Sequence, residues 1–225
     1  MRRSILLAAI AAALGSVPAW SGPIIFSDLG TGSNVYNSSS NSWGVLGSAN
    51  TFSPGIAQGV AMLFTAGGSG SEAVGQVDFG MWNFGGAQTF TASIWTDPAG
   101  SPGSQVAGAL WSLATSNAYN NCCVMSTVSG ISGVTLTGGL QYFMILQPAS
   151  YSDTSDNGWA YNSQSVSGDV QFTSNGSSWT DTGSSPNYAA FDVQGAATTV
   201  PEPSSLALAG AGLAALAALR RRRRA

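Results

Sequence analysis

Val77, Phe79 and Met81 alternate with Gln76, Asp78 and Gly80, and Phe90, Ala92 and Ile94 alternate with Thr89, Thr91 and Ser93. A period of two sends alternate side chains to opposite faces, so both stretches predict strands. Leu140 to Leu146 is apolar at every position but Gln141, the pattern of a central strand covered on both faces. Tyr188 to Val193 predicts a last strand. Turn residues separate the runs: Gly67-Gly68, Asp97-Pro98-Ala99-Gly100, Ser101-Pro102-Gly103, Gly138-Gly139, Asn157-Gly158 and Asn175-Gly176. No 3.6-residue apolar period is sustained between residues 24 and 199, although Val106 to Ala114 also reads as a short helix. Residues 30 to 58, rich in Ser, Asn and Gly, read as a long surface excursion. Several short strands with frequent Gly turns predict an all-β fold, a two-sheet β-sandwich of jelly-roll type over residues 22–194.

The two ends break this pattern. Arg2 and Arg3 precede an apolar stretch, Ile5 to Leu14, too short to span a bilayer, and Val17-Pro18-Ala19 supplies small residues for cleavage after Ala19 or Ser21. Residues 1–21 are therefore expected to be a signal peptide. At the other end, a linker over residues 195–203 closes on Val200, Pro201, Glu202 and Pro203. An apolar helix is expected from Ser204 to Leu219, followed by Arg220, Arg221, Arg222, Arg223 and Arg224. Sixteen residues at roughly 1.5 Å each reach about 24 Å, against about 30 Å of hydrocarbon. Snorkelling arginines narrow that gap. The five arginines resist translocation and act as a cytoplasmic stop, leaving the preceding residues outside. Pro201 and Pro203 hold their segment extended, which suits presentation to a protease.

This three-part tail resembles the PEP-CTERM sorting signal of Gram-negative bacteria, which the membrane protease exosortase reads. The resemblance implies a route: the Sec translocon and signal peptidase, insertion in the inner membrane from the periplasmic side, cleavage by exosortase, and delivery to the cell surface or extracellular matrix. A permanent C-terminal transmembrane anchor has the same hydropathy and stays open as the alternative.

All seven basic residues lie in the two ends, and there is no lysine or histidine. Nine of the ten acids lie between the ends: Asp28, Glu72, Asp78, Asp97, Asp153, Asp156, Asp169, Asp181 and Asp192. With nine acids and no base, the exported part carries a charge near −9. Nucleic acid is excluded as a partner, since no cation is present to neutralise phosphate. Each carboxylate must instead be solvated, hydrogen-bonded or bound to a metal. Without histidine, a Ser-His-Asp or Cys-His arrangement and a His-based zinc site are impossible. Without lysine, Schiff-base and Ser-Lys chemistry are impossible too. Only paired carboxylates remain for acid–base catalysis. Nothing in the sequence brings two acids together, and Asp78 reads as solvent-facing. The expectation is a non-enzymatic protein with no catalytic residue.

Ser93-Ile94-Trp95-Thr96-Asp97, then Gly100-Ser101-Pro102-Gly103, resembles a segment of choice-of-anchor R domains, and Leu136-Thr137-Gly138-Gly139-Leu140-Gln141-Tyr142-Phe143 is similar to the segment that follows there. Phe143 stands where Trp is usual. The likeness covers roughly residues 55 to 195. It implies a secreted bacterial β-sandwich joined to an interchangeable anchor, and it carries over no catalytic residue.

Three groups carry candidate chemistry. Asp153, Ser155 and Asn157, followed by Gly158, place oxygens at alternate positions before a glycine, the start of a calcium loop. Gln164 stands where the bidentate Glu would be, so a weak extracellular calcium site or a plain solvated turn is expected, with no other cofactor. Cys122 and Cys123 are adjacent and exported, so a vicinal disulfide stiffening the surrounding loop, two free thiols and an intermolecular bridge are all open. Trp159, Tyr161 and Trp179 lie in polar segments and are candidates for sugar stacking, whereas Trp82, Trp95 and Trp111 read as core. The function expected is an exopolysaccharide-associated surface or matrix protein. The alternative is a carbohydrate-binding module for the cell's own exopolysaccharide.

Overall fold

The computed structural model describes residues 22–32, 35–37, 41–86, 89–115 and 121–197. Among them there is no helix, and alternation in the sequence becomes alternation between two faces of two antiparallel sheets. The first sheet contains β1 (Ile24–Ser27), β2 (Ser42–Leu46), β4 (Ser71–Gly86), β7 (Asn121–Ser129), β8 (Thr135–Thr137), β10 (Ser155–Ala160) and β13 (Phe191–Gly195). The second contains β3 (Gly59–Thr65), β5 (Thr89–Thr96), β6 (Gln105–Ala114), β9 (Gln141–Pro148), β11 (Gly168–Thr173) and β12 (Thr180–Ser185), in the order β12-β11-β3-β9-β5-β6.

The sixteen-residue β4 organises the first sheet. Along one side it pairs with β8 at Ser71–Ala73 and with β7 from Gln76 to Asn83. Along the other side β13 and β10 lie end to end, β13 against Val74–Phe79 and β10 against Met81–Gly86. Gly80 N donates to Ala190 O at 3.1 Å, and Ala190 N donates to Ala160 O at 2.7 Å, joining the two short strands where they meet. β1 pairs beyond β13, and β2 beyond β10.

This layout brings both ends of the sandwich together. Gly195 N donates to Pro23 O at 2.6 Å, and Ala196 N to Ala73 O at 2.7 Å. The chain therefore enters and leaves beside the start of β4. Phe84 lies near the other end of that strand, 11 residues beyond Ala73 and roughly 35 Å away at about 3.3 Å per residue.

The main core lies between the sheets. Val77, Phe79 and Met81 from β4, Phe191 and Val193 from β13, and Trp159 from β10 meet Val60, Met62 and Phe64 of β3 and the inward residues of β5 and β9. Phe79, Trp159 and Phe191 form a ring cluster with centroids 5.5–6.0 Å apart around Trp159. A smaller cluster covers the outer face of the second sheet, where Ala61, Phe143 and Ile145 are buried beneath Leu63, Trp95 and Trp179. The loop after Thr96 reaches across that face, and Gln171 Nε2 donates to Gly100 O at 2.7 Å. β9 is thus covered on both faces, as its apolar stretch Tyr142–Leu146 predicts.

Three expectations are corrected. Val106 to Ala114 is not a helix but part of β6, with Gly108 at φ +76°, outside the helical range. The excursion at 30–58 contains β2, whose Trp43 packs against the main core and donates its indole N–H to Asn187 O at 2.6 Å. The last strand starts at Phe191 rather than Tyr188, because Tyr188 is committed to the core, where its hydroxyl donates to Leu63 O at 2.5 Å.

Candidate functional site

The outward face of β4 changes character along its length. Because Val77, Phe79 and Met81 face the core, Gln76, Asp78, Gly80, Trp82 and Phe84 face outward. Gly80 lies beneath Tyr36, whose ring would meet any Cβ there at 3.1 Å, and the Tyr36 hydroxyl donates to Cys123 O at 2.5 Å. This strap divides the face into a polar part near the chain ends and an aromatic part at the far end.

The aromatic part is a trough of about 800 Å³. Its floor lacks side chains where Gly158 of β10 pairs with Gly44 of β2. A Cβ on Gly158 would stand 2.6 Å from Phe84 Cε2, so glycine lets the Phe84 ring lie across the strand. Phe84 stacks on Phe52 with centroids 5.2 Å apart and an interplanar angle of 18°, and it meets Trp82 at 4.7 Å. Leu46, Ile56 and Tyr161 complete the apolar lining, and Asn41, Ser42, Ser53 and Gln58 supply amides and hydroxyls. Gln58 Nε2 donates to Gly44 O at 2.9 Å, which fixes its side chain at the floor. The indole N–H of Trp82 is buried and has no hydrogen-bond partner.

The loop carrying Phe52 is braced from beneath. Asn50 Nδ2 donates to the carbonyls of Gly47, Ser53 and Ile56 at 2.6–3.0 Å, and its Oδ1 accepts from Ser53 N at 2.6 Å. Asp156, fully buried in β10, accepts from Thr51 N, Thr51 Oγ1 and Phe52 N through one oxygen at 2.7–3.1 Å. Phe52 nevertheless stays 68% exposed and Ile56 53% exposed.

The polar part contains a carboxylate pair that sequence reading missed. Asp78 and Asp192 are direct cross-strand partners, each only 6% exposed. Gln76 Nε2 and Gln194 Nε2 donate to Asp78 Oδ2 at 2.7 and 3.1 Å, Gln194 also donates to Asp192 Oδ2 at 2.9 Å, and Thr127 Oγ1 donates to Asp78 Oδ1. Burial, and then the neighbouring Asp78, push the Asp192 carboxyl up to about 7. Asp28 nearby accepts from Phe191 N at 2.8 Å, and burial pushes it up to about 8. Asp78 does not face solvent, as its alternating pattern had led us to expect. Neither member of the pair lines the trough.

The predicted site residues scatter. Trp159 is not a surface platform. It is wholly buried in the core, with its indole N–H donated to Ala190 O at 3.0 Å. Trp179 belongs to the outer patch of the second sheet, and of the three sugar candidates Tyr161 lies in the trough. The oxygen-rich turn expected from Asp153 is mostly strand. β10 is held between β2 and β4, so Ser155 and Asn157 point inward, where both donate to Thr89 O at 3.1 and 3.4 Å. Asp153 keeps its oxygens on the amides of Ser155 and Ser150. Cys122 and Cys123 are bonded to each other across a cis peptide within β7, a strand where a loop was expected. Val200 to Pro203 and Arg220 to Arg224 lie outside the described residues, as do residues 1–21, where a signal peptide is expected.

Residues 199–223 match the family of the PEP-CTERM protein-sorting motif. The chain carries a PEP-CTERM sorting signal. That signal implies an exported protein processed by exosortase, attached to the membrane through the tail and then cleaved from it. The described chain ends two residues before the PEP-CTERM match begins, beside the start of β4 and away from the trough. No curated protein matches the sequence.

Proposed function

We propose that the protein is a non-enzymatic component of the cell surface or extracellular matrix, delivered through the Sec translocon, released by exosortase and retained among exopolysaccharide. The observation that carries this reading is the sorting signal behind a β-sandwich whose two ends emerge together, so that one pole faces the membrane during processing. Lack of histidine and lysine supports the non-enzymatic part. So does the position of Asp78 and Asp192, clamped by Gln76, Gln194 and Thr127 within the sheet face. The resemblance to choice-of-anchor R domains fits the same reading and stays a resemblance.

Intact mass of the protein from its native host, by cell fraction and with or without exosortase, tests the proposal. A C-terminus near Pro201 to Pro203 that is lost in the exosortase deletion is expected. A tail kept through Ala225 in the wild-type inner membrane would make it a permanent anchor and overturn release.

A further inference from the structure

Apolar side chains on a flexible loop fold down onto the nearest apolar surface, since each buried CH₂ is worth about 0.8 kcal/mol. Phe52 does so on one ring face only, against Phe84, and stays 68% exposed, and Ile56 stays 53% exposed. The four hydrogen bonds of Asn50 and the three accepted by Asp156 hold their loop in one shape with both side chains in solvent. Such pre-ordering lowers the entropy cost of binding something at Phe52. The trough also combines flat aromatic faces with amides and hydroxyls, and it contains no charged side chain.

We propose that this trough binds an uncharged polysaccharide, with a sugar C–H face on the exposed ring of Phe52, which Phe84 supports from beneath, and hydroxyls met by Asn41, Ser42 and Gln58. Charge decides against acidic polymers, because the domain carries nine carboxylates and no cation to attract them. Size decides against a second protein. Phe52 and Ile56 together offer at most roughly 200–300 Å² of apolar area, short of the roughly 800 Å² per partner of a stable protein pair. Position agrees as well, since the trough lies at the far end of β4 from the point where the chain leaves the sandwich. The inference deepens the reading of an exopolysaccharide-associated protein by naming the class of glycan and the surface that takes it.

The exported protein, purified in mild detergent, is run in native gels cast with dextran, hydroxyethylcellulose, galactomannan or β-1,3-glucan, with alginate as the acidic comparison. Retardation by at least one of the four uncharged polymers and none by alginate is expected. Phe52→Ala should weaken that retardation about tenfold or more. Leu140→Ala, an exposed apolar change near the tail pole, should leave it unchanged. No retardation in any uncharged gel, retardation by alginate alone, or full retention in Phe52→Ala would overturn the proposal. So would sedimentation showing a dimer that Phe52→Ala dissociates, since the trough would then hold a second copy. None of these results alters the mass of the processed tail, so sorting and sugar binding fail separately.

Discussion

The two faces of the first sheet put the same kinds of aromatic side chain, Trp and Phe, to opposite uses. On the inner face Trp159, Phe79 and Phe191 are shielded from water, and their one polar handle, the Trp159 indole, is satisfied by Ala190. One residue earlier on β10, Gly158 opens the outer face so that Phe84 can lie across it under an exposed Phe52. The inner cluster shows apolar area removed from water to hold the sheets together. The outer cluster shows buried hydrogen bonds used to keep apolar area in water. The contrast teaches that an aromatic residue's role here follows from the face its register assigns, not from the polarity of its neighbours in sequence.

The sharpest way to break the contrast is on the inner face. Trp159→Ala would leave a cavity between Phe79 and Phe191 and remove one of the two donors to the Ala190 carbonyl, which keeps Gly80 N at the junction of β10 and β13. Loss of about 3–5 kcal/mol is expected, read as a lowered midpoint in denaturant unfolding followed by tryptophan fluorescence. A loss under 1 kcal/mol would mean that Trp159 is not the keystone its burial indicates.

Trp159 also marks where the sequence was hard to read. Strands at 77–81, 90–94 and 140–146 were legible because their patterns are local and their partners did not matter. Trp159 follows Asp153-Thr154-Ser155-Asp156-Asn157-Gly158, a run that on its own reads as a loop. It is a strand because tertiary partners hold its buried polar side chains: Thr89 O for Ser155 and Asn157, and the Phe52 loop for one oxygen of Asp156. The trough was illegible for a related reason. Phe52, Phe84 and the Gly44–Gly158 pair lie in distant segments, and cross-strand register alone assembles them. The carboxylate pair left one clue, the mirrored triplets Gln76-Val77-Asp78 and Asp192-Val193-Gln194, each with a glutamine two residues from the acid on the same face.

The polar part of the outer face should set the pH response. The Asp192 carboxyl, pushed up to about 7, keeps in the folded state a proton that the unfolded chain releases above about 4. Its contribution is full below pH 4 and is lost as pH rises through 7. Asp28, at about 8, extends the decline. Asp192→Asn cannot ionise, so it should match the wild type at pH 4 and exceed it at pH 8 by on the order of 1–3 kcal/mol. Melting curves across pH 4–9 would show the two profiles diverging. Parallel profiles would mean that the pair is solvated despite its burial.

Asp156 couples the faces, because it lies in the sheet and shapes the loop above it. Asp156→Ala removes the acceptor for Thr51 N, Thr51 Oγ1 and Phe52 N. A loss of about 1–2 kcal/mol is expected. The more specific sign is faster amide exchange at Thr51 and Phe52 than in the wild type, with the β4 amides unchanged. If those two amides already exchange freely in the wild type, the loop is not pre-ordered and the outer cluster loses its distinction.

The smallest expected effect on stability discriminates best. Phe52 is mostly exposed and touches the fold chiefly through the face of Phe84. If the outer cluster is a surface kept for binding, Phe52→Ala should change unfolding free energy by no more than about 0.5 kcal/mol, as for an ordinary exposed position. If Phe52 is instead a lid that shields Phe84 and Trp82, its removal wets both rings and the loss should approach the 2 kcal/mol or more of a core truncation. The same denaturant titration used for Trp159→Ala separates these cases. A near-zero value beside the large one at Trp159 would show that only one of the two aromatic clusters on this sheet serves the fold.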